Sequence, residues 1–219
     1  MKCCCAVFDL DGVLVDTAKY HYLAWKELAD RLGFDFTPEQ NEWLKGVSRM
    51  DSLNILLEVG KMPNCFTNDE KEQMAAKKNA RYVEYISNMD SSELLPGALG
   101  LLKKLKNGGI KIALGSASKN SPLILNNVGI TPFFDVIIDG NCVTNAKPDP
   151  EVFTLGADRL HVPYSDCAVF EDSEAGLQAA KRAGMFAVGI GNKQNLCSAD
   201  VVYSNLKEVE IEKYFSIHL

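Results

Sequence analysis

The chain has 219 residues, 47% hydrophobic and 24% charged, with 23 Lys plus Arg against 29 Asp plus Glu. That apolar content supplies a core for one large domain or two modest ones and excludes a disordered, collagenous or coiled-coil chain. The formal net charge of −6 excludes a general nucleic-acid binder, so any phosphate-bearing ligand has to be small and held by local donors.

The first predicted strand, Cys3–Phe8 (CCCAVF), is cut short by Asp9 and Asp11. It is too brief for a secretion signal, and no apolar run approaches the roughly 18 residues of a membrane helix. Residues 17–87 then show helical patterns only, at Ala18–Leu32, Met50–Val59 and Asn68–Ser87, with Pro38 and Pro63 in the joints. Beyond them, short apolar strands alternate with amphipathic stretches. Strands are expected at Ile110–Leu114, Val136–Ile138, Cys167–Phe170, Met185–Ile190 and Asp200–Tyr203, and helices at Leu99–Lys106, Ser121–Asn127, Glu151–Leu160 and Ala175–Ala183. Continuous apolar strands are buried on both faces, the mark of a parallel sheet between helices. The expected fold is therefore α/β, a Rossmann-like core from residues 1–16 and 88–219 with an all-helical cap, 17–87, inserted after the first strand. Open α/β sheets bind ligands at the carboxyl ends of their strands, which makes the inserted block a candidate lid.

Seven cysteines, scattered and without a C-x-x-C pair, suit neither a zinc site nor a disulfide framework. They are expected as small buried hydrophobes in the strands of a reduced, cytoplasmic protein.

The residues just past each strand carry the chemistry. Asp9 and Asp11 follow the first strand, Gly115-Ser116-Ala117-Ser118 the second, and Glu171-Asp172-Ser173 the fourth, while Lys147 precedes a helix at Pro148. A parallel sheet brings these sets to one end, where the carboxylates repel unless a cation intervenes. Hard oxygen ligands in this small number suit Mg²⁺, and Mg²⁺ points to phosphate. Ser116 and the backbone N–H groups after it can cradle a phosphoryl group, and Lys147 can neutralise it. No G-x-x-x-x-G-K-[ST] is present, and Gly189-Ile-Gly191 is too short for a dinucleotide fingerprint. Asp9 suits a nucleophile that forms an aspartyl-phosphate. On an extended segment Asp11 would project to the same side as Asp9 and serve as acid/base. His21 lies four residues after Thr17 on one helix face, while His161 follows a helix and receives no function.

FDLDGVLVDT, GSAS, AKPDP and FEDSEAG, in this order, resemble the successive motifs of the haloacid dehalogenase superfamily. DTAKYHYLAWKELAD, LKGVSRMDSL, AAKKNARYV and SASKN resemble more narrowly its sugar phosphomutases. The resemblance implies interconversion of β-D-glucose 1-phosphate and glucose 6-phosphate through a sugar bisphosphate. It implies Asp9 as nucleophile and Asp11 as acid/base, with Mg²⁺ held by the Asp9 carboxylate, the Asp11 carbonyl, Glu171 and Asp172. Ser116, Ala117 and Lys147 would hold the transferring phosphate. Arg49, Ser118 and Asn120 would take the other phosphate, with Lys119 in the same motif. Thr17, His21, Trp25, Lys45, Gly46, Val47, Ser48 and Lys78 match hinge and cap positions around the sugar. The Cys3–Cys5 run and Gly115 depart from the pattern beside the site. A sugar-phosphate or phosphoglycolate phosphatase would use the same core with water as acceptor. A catalytically silent binding protein is disfavoured by intact Asp9, Asp11, Lys147 and Asp172. The expected partner is a small phosphorylated sugar, with neither nucleic acid nor membrane, and the expected state is a monomer.

Overall fold

The computed structural model describes residues 2–44 and 47–216. Its strands are β1 (Cys5–Phe8), β2 (Lys111–Gly115), β3 (Val136–Ile138), β4 (Cys167–Glu171), β5 (Phe186–Ile190) and β6 (Val201–Tyr203). They form one parallel sheet in the order β3-β2-β1-β4-β5-β6. Phe8 stands in register with Leu114 on one side and Phe170 on the other, so β2, β1 and β4 end within one residue of one another. The chain builds outward from β1 in both directions, which puts the topological switch point between β1 and β4.

The chain divides into two compact units, Met1–Asp16 with Met89–Leu219, and Thr17–Asn88. The second holds α1 (Ala18–Leu32), α2 (Pro38–Asn41), α3 (Arg49–Val59) and α4 (Asn68–Ile86). The sheet unit carries α5 (Ala98–Asn107), α6 (Ser121–Asn127), α7 (Glu151–Leu160), α8 (Glu174–Arg182) and α9 (Ile211–Tyr214).

Side chains alternate across β1. Cys5 and Val7 join Ala113, Val169, Phe153, Ala157, Leu177 and Ala180 in one buried cluster between the sheet and α7 and α8. Phe8, which points the other way, stacks on Phe170 at 4.6 Å between centroids, and Phe170 continues to Phe215 at 6.3 Å. The helical unit has its own core, in which Trp25, Ala29, Phe36, Leu53, Leu56 and Leu57 are buried.

Four expectations are corrected. Pro38 is not in a joint but at the start of α2, where Thr37 and Gln40 close a reciprocal capping box. The first strand begins at Cys5 because Cys3 bridges to Phe215 instead of joining the sheet. Cysteine burial is split: Cys5 and Cys167, which open β1 and β4, and Cys3, which bridges to Phe215, are buried, whereas Cys4, Cys65, Cys142 and Cys197 are exposed outside the strands. Residues 9–11 are not a continuous extended segment. Asp9 still donates its N–H to the Phe170 carbonyl, but Leu14 and Val15 both turn back to the Leu10 carbonyl, so the two-residue period ends at Asp9. His161, which received no function, ends α7 in a left-handed conformation with φ 55°.

Replacing Phe8 by Ala removes one end of the Phe8–Phe170–Phe215 stack, at the carboxyl end of β1. It should destabilise the protein by about 3–5 kcal/mol, read as a lower urea midpoint, with Phe8→Leu losing distinctly less. A wild-type midpoint for Phe8→Ala would show that the stack contributes nothing.

Candidate active site

Asp9 immediately follows β1, Glu171 is the last residue of β4, and Asp172 follows it. One carboxylate oxygen from each lies within 4.8 Å of the other two. Asp9 and Glu171 are buried, 6% and 2% exposed, so solvent cannot screen their repulsion. Lys147 opposes it: its Nζ stands 2.5 Å from Asp9 Oδ1 and 3.4 Å from Glu171 Oε1. Burial alone would pull the Lys147 ammonium down, but Asp9 and Glu171 outweigh it and hold its pKa above the ordinary lysine range. Glu171 is driven upward, first by burial and then by the charges of Asp9 and Asp172, against the pull of Lys147 and Ser173. Among the described residues Lys147 is the ammonium that faces Asp9 and Glu171. This donor set of hard oxygens fits a small divalent cation.

Local packing makes the cluster possible. Gly12 has φ +80°, and a Cβ there would fall 2.0 Å from Asp172 Oδ2. At Gly176 the intruding atom would be Glu171 Oε1, at 1.8 Å. These two glycines of the DLDG and EDSEAG motifs therefore give the two carboxylates their room. Ser173 donates its hydroxyl to Glu171 Oε1 at 2.5 Å and accepts the Gly176 N–H at 3.1 Å, so one oxygen orients the acid and caps α8. Lys147 Nζ lies 4.8 Å from the ring centroid of Phe153. That ring also accounts for Gly115, where a Cβ would meet Phe153 Cδ1 at 2.6 Å. The segment carrying Lys147 is pinned by Glu151, whose carboxylate accepts the N–H groups of Thr144 and Asn145 at 3.0 and 2.7 Å.

Ser116, buried, stands one residue past β2 and donates its N–H to the Ile138 carbonyl at 3.0 Å. Its hydroxyl accepts the Ser118 N–H at 3.1 Å, and the Ser118 hydroxyl accepts the Asn120 N–H at 3.3 Å. Asn120, not Ser116, occupies the N-cap position of α6. Ala117 and Lys119 are exposed in the same loop.

In the helical unit, His21 Nδ1 lies 3.0 Å from Lys78 Nζ, and the His21 ring lies against Tyr82 at 4.1 Å. Lys78 is buried, with its Nζ 4.4 Å from the centroid of Trp25 and 5.1 Å from that of Tyr82. Burial first, then the Arg49 charge, lowers the Lys78 pKa to about 7. Burial, Lys78 and Arg49 push His21 well below the usual histidine range. Thr17 is buried at the N-terminus of α1. Ser48 caps α3 by accepting the Asp51 N–H at 3.2 Å, which places Arg49, exposed, at the helix's first position and Val47 just before the cap. Lys45 and Gly46 lie outside the described residues.

The structure thus brings together Asp9, Lys147, Glu171 and Asp172, and separately His21, Trp25 and Lys78. The Asp11 side chain is not in the carboxylate trio. Sequence reasoning did not single out Gly12, Ser173, Gly176 or Phe153 as supports. Ser173 carried a readable signal, a hydroxyl ahead of a helix, and the glycines carried one in their place beside the acidic pairs.

The sequence profile of the haloacid dehalogenase-like hydrolases matches residues 5–184. A β-phosphoglucomutase of Bacillus subtilis (strain 168) is 44% identical over 206 residues, covering 94% of this chain and 91% of that protein. A phosphorylated carbohydrates phosphatase of Thermotoga maritima is 33% identical over 184 residues, covering 82% and 81%. Among solved structures, a β-phosphoglucomutase from Clostridium difficile shares 44% identity and superposes with a TM-score of 0.89, covering 97% of this chain and 95% of its own. With its profile matched over residues 5–184, from β1 through the inserted helices to β4 and α8, the chain belongs to the haloacid dehalogenase-like hydrolase family.

Proposed function

We propose that the protein is a Mg²⁺-dependent phosphomutase that interconverts β-D-glucose 1-phosphate and glucose 6-phosphate. The observation that carries phosphoryl transfer is the buried trio Asp9, Glu171 and Asp172 with Lys147 hydrogen-bonded to Asp9. The choice of mutase over phosphatase is supported by 44% identity to a β-phosphoglucomutase against 33% to a carbohydrate phosphatase.

In this reading Asp9, Glu171 and Asp172 hold the metal through carboxylates and Asp11 through its carbonyl, which fits the absence of the Asp11 side chain from the trio. The bound Mg²⁺ supplies charge neutralisation for the phosphoryl group. An Asp9 oxygen forms a bond to phosphorus as the bond from phosphorus to the sugar oxygen breaks, giving an aspartyl-phosphate. Asp11 gives a proton to the departing sugar oxygen and takes one from the attacking hydroxyl in the return step. Ser116, the Ala117 N–H and Lys147 bind the phosphoryl oxygens. Arg49, Ser118, Lys119 and Asn120 hold the phosphate that is not reacting. Thr17, His21, Trp25, Lys45, Gly46, Val47, Ser48 and Lys78 shape the sugar site, where His21 would help position Asp11. Seven free cysteines are in keeping with a cytoplasmic enzyme, and we take it to act as a monomer.

With Mg²⁺, β-glucose 1-phosphate and a trace of glucose 1,6-bisphosphate, the expected product is glucose 6-phosphate, followed by a coupled dehydrogenase. Free phosphate as the main product would overturn the mutase reading in favour of the phosphatase. Asp9→Asn should lose turnover by at least about 10³-fold while keeping its circular dichroism spectrum, because the amide is no nucleophile. Removal of the metal by EDTA should abolish activity and re-addition of Mg²⁺ restore it; turnover unaffected by chelation would exclude a metal at the trio.

A further inference from the structure

Resting on the reading that the loop 116–120 binds phosphate, we propose that Asp139 and Asn141 form a latch that fixes the peptide orientations of that loop, with Asn141 the positioning residue. β3 ends at Ile138, and the buried Asp139 next to it accepts the Asn141 backbone N–H at 2.8 Å and the Asn141 Nδ2 at 3.2 Å. The same Nδ2 donates to the Lys119 carbonyl at 3.2 Å. Between them, the Gly140 N–H donates to the Ser118 carbonyl at 3.2 Å, which also accepts the Ser121 hydroxyl at 2.8 Å. Gly140 comes so close to the loop that a Cβ would fall 2.2 Å from the Ala117 carbonyl oxygen. Three consecutive carbonyls, those of 117, 118 and 119, therefore face the segment 139–141.

In a planar trans peptide the N–H points opposite to the C=O. Drawing those carbonyls toward 139–141 turns the N–H groups of Ser118, Lys119 and Asn120 the other way. Two of them are taken up by the Ser116 and Ser118 hydroxyl oxygens, and each hydroxyl, having accepted, keeps its own proton to donate. Among the described hydrogen bonds, the N–H groups of Ala117 and Lys119 donate to no protein acceptor. The loop thus presents donors to an anion and keeps its carbonyl oxygens, which would repel one, on the far side. Asn141 is exposed, so its loss opens no core cavity, and the bridge it makes between Asp139 and Lys119 is its role.

The test uses the full-length protein with Mg²⁺. Asn141→Ala and Asn141→Asp are compared with wild type and with Ser116→Ala, by calorimetric titration with inorganic phosphate and by mutase kinetics. Asn141→Ala should weaken phosphate binding and raise KM for glucose 1-phosphate by about three- to tenfold, the worth of one or two hydrogen bonds. Its kcat should stay within about twofold and its Tm within about 2 °C. Asn141→Asp keeps the size, loses the donor and faces Asp139 with a second carboxylate, so its defect should be at least as large. If Asn141→Ala binds phosphate and turns over like wild type while Ser116→Ala is impaired, the latch is refuted and the phosphate loop stands. If Ser116→Ala too binds like wild type, the phosphate reading of the loop fails. A lower Tm with kcat and KM unchanged would make the bridge purely structural and refute the latch.

Discussion

Three carboxylates held within 4.8 Å of one another, two of them facing the Lys147 ammonium, are the constraint on which the rest of the sheet unit turns. Burying such a group is costly unless charge is balanced and the oxygens are satisfied. The surrounding structure meets both demands locally. Lys147 reaches Asp9 and Glu171, Ser173 donates to Glu171, and the Asp172 N–H reaches Glu171 Oε2 at 3.1 Å. Gly12 and Gly176 leave no Cβ where the Asp172 and Glu171 carboxylates must lie. Three hard carboxylate oxygens gathered this closely are also a donor set that fits a small divalent cation.

Strands that end within one residue of one another turn sequence-distant residues into neighbours. Phe8, Leu114 and Phe170 share one register line, so Asp9, Gly115 and Glu171 fall on the next. Below that line, the stacked rings of Phe8 and Phe170 and the cluster around Val7 and Val169 leave little freedom for the backbone that presents the acids. Precise presentation of charge at the edge and dense packing beneath it are two consequences of one register.

Most of this was legible because it rests on periodicity and on residue types that have few other uses. Continuous apolar runs identified all six strands, and acidic pairs just past strand ends identified the cluster. What escaped depends on through-space geometry. Nothing in FDLDG reveals that the extended conformation ends at Asp9; the turn that follows is fixed by bonds to the Leu10 carbonyl. Gly115 read as a departure without consequence, because the Phe153 ring that fills its Cβ position is thirty-eight residues away in sequence. The buried and exposed cysteines are one residue type, distinguished only by where the fold places them. Asn141 sits in a stretch without periodicity, and its partner Lys119 is reached only once β2 and β3 lie side by side.

The two units gather opposite charge at their candidate site residues. In the sheet unit the charge is carboxylate; in the helical unit the charges acting on His21 and Lys78 are basic, from Arg49 and from Lys78 itself. Lys78 is pressed into the faces of Trp25 and Tyr82, a setting that tolerates an ammonium but supplies no counter-ion. Burial and the Arg49 charge disfavour the Lys78 ammonium, just as burial and the neighbouring Asp9 and Asp172 disfavour the Glu171 carboxylate. The core chemistry alone cannot distinguish a sugar hydroxyl from water as the acceptor, because Asp9, Lys147 and the trio act on the phosphoryl group and not on what receives it. Discrimination between mutase and phosphatase must therefore come from groups that sense the rest of the substrate and not from those that grip the transferring phosphoryl group.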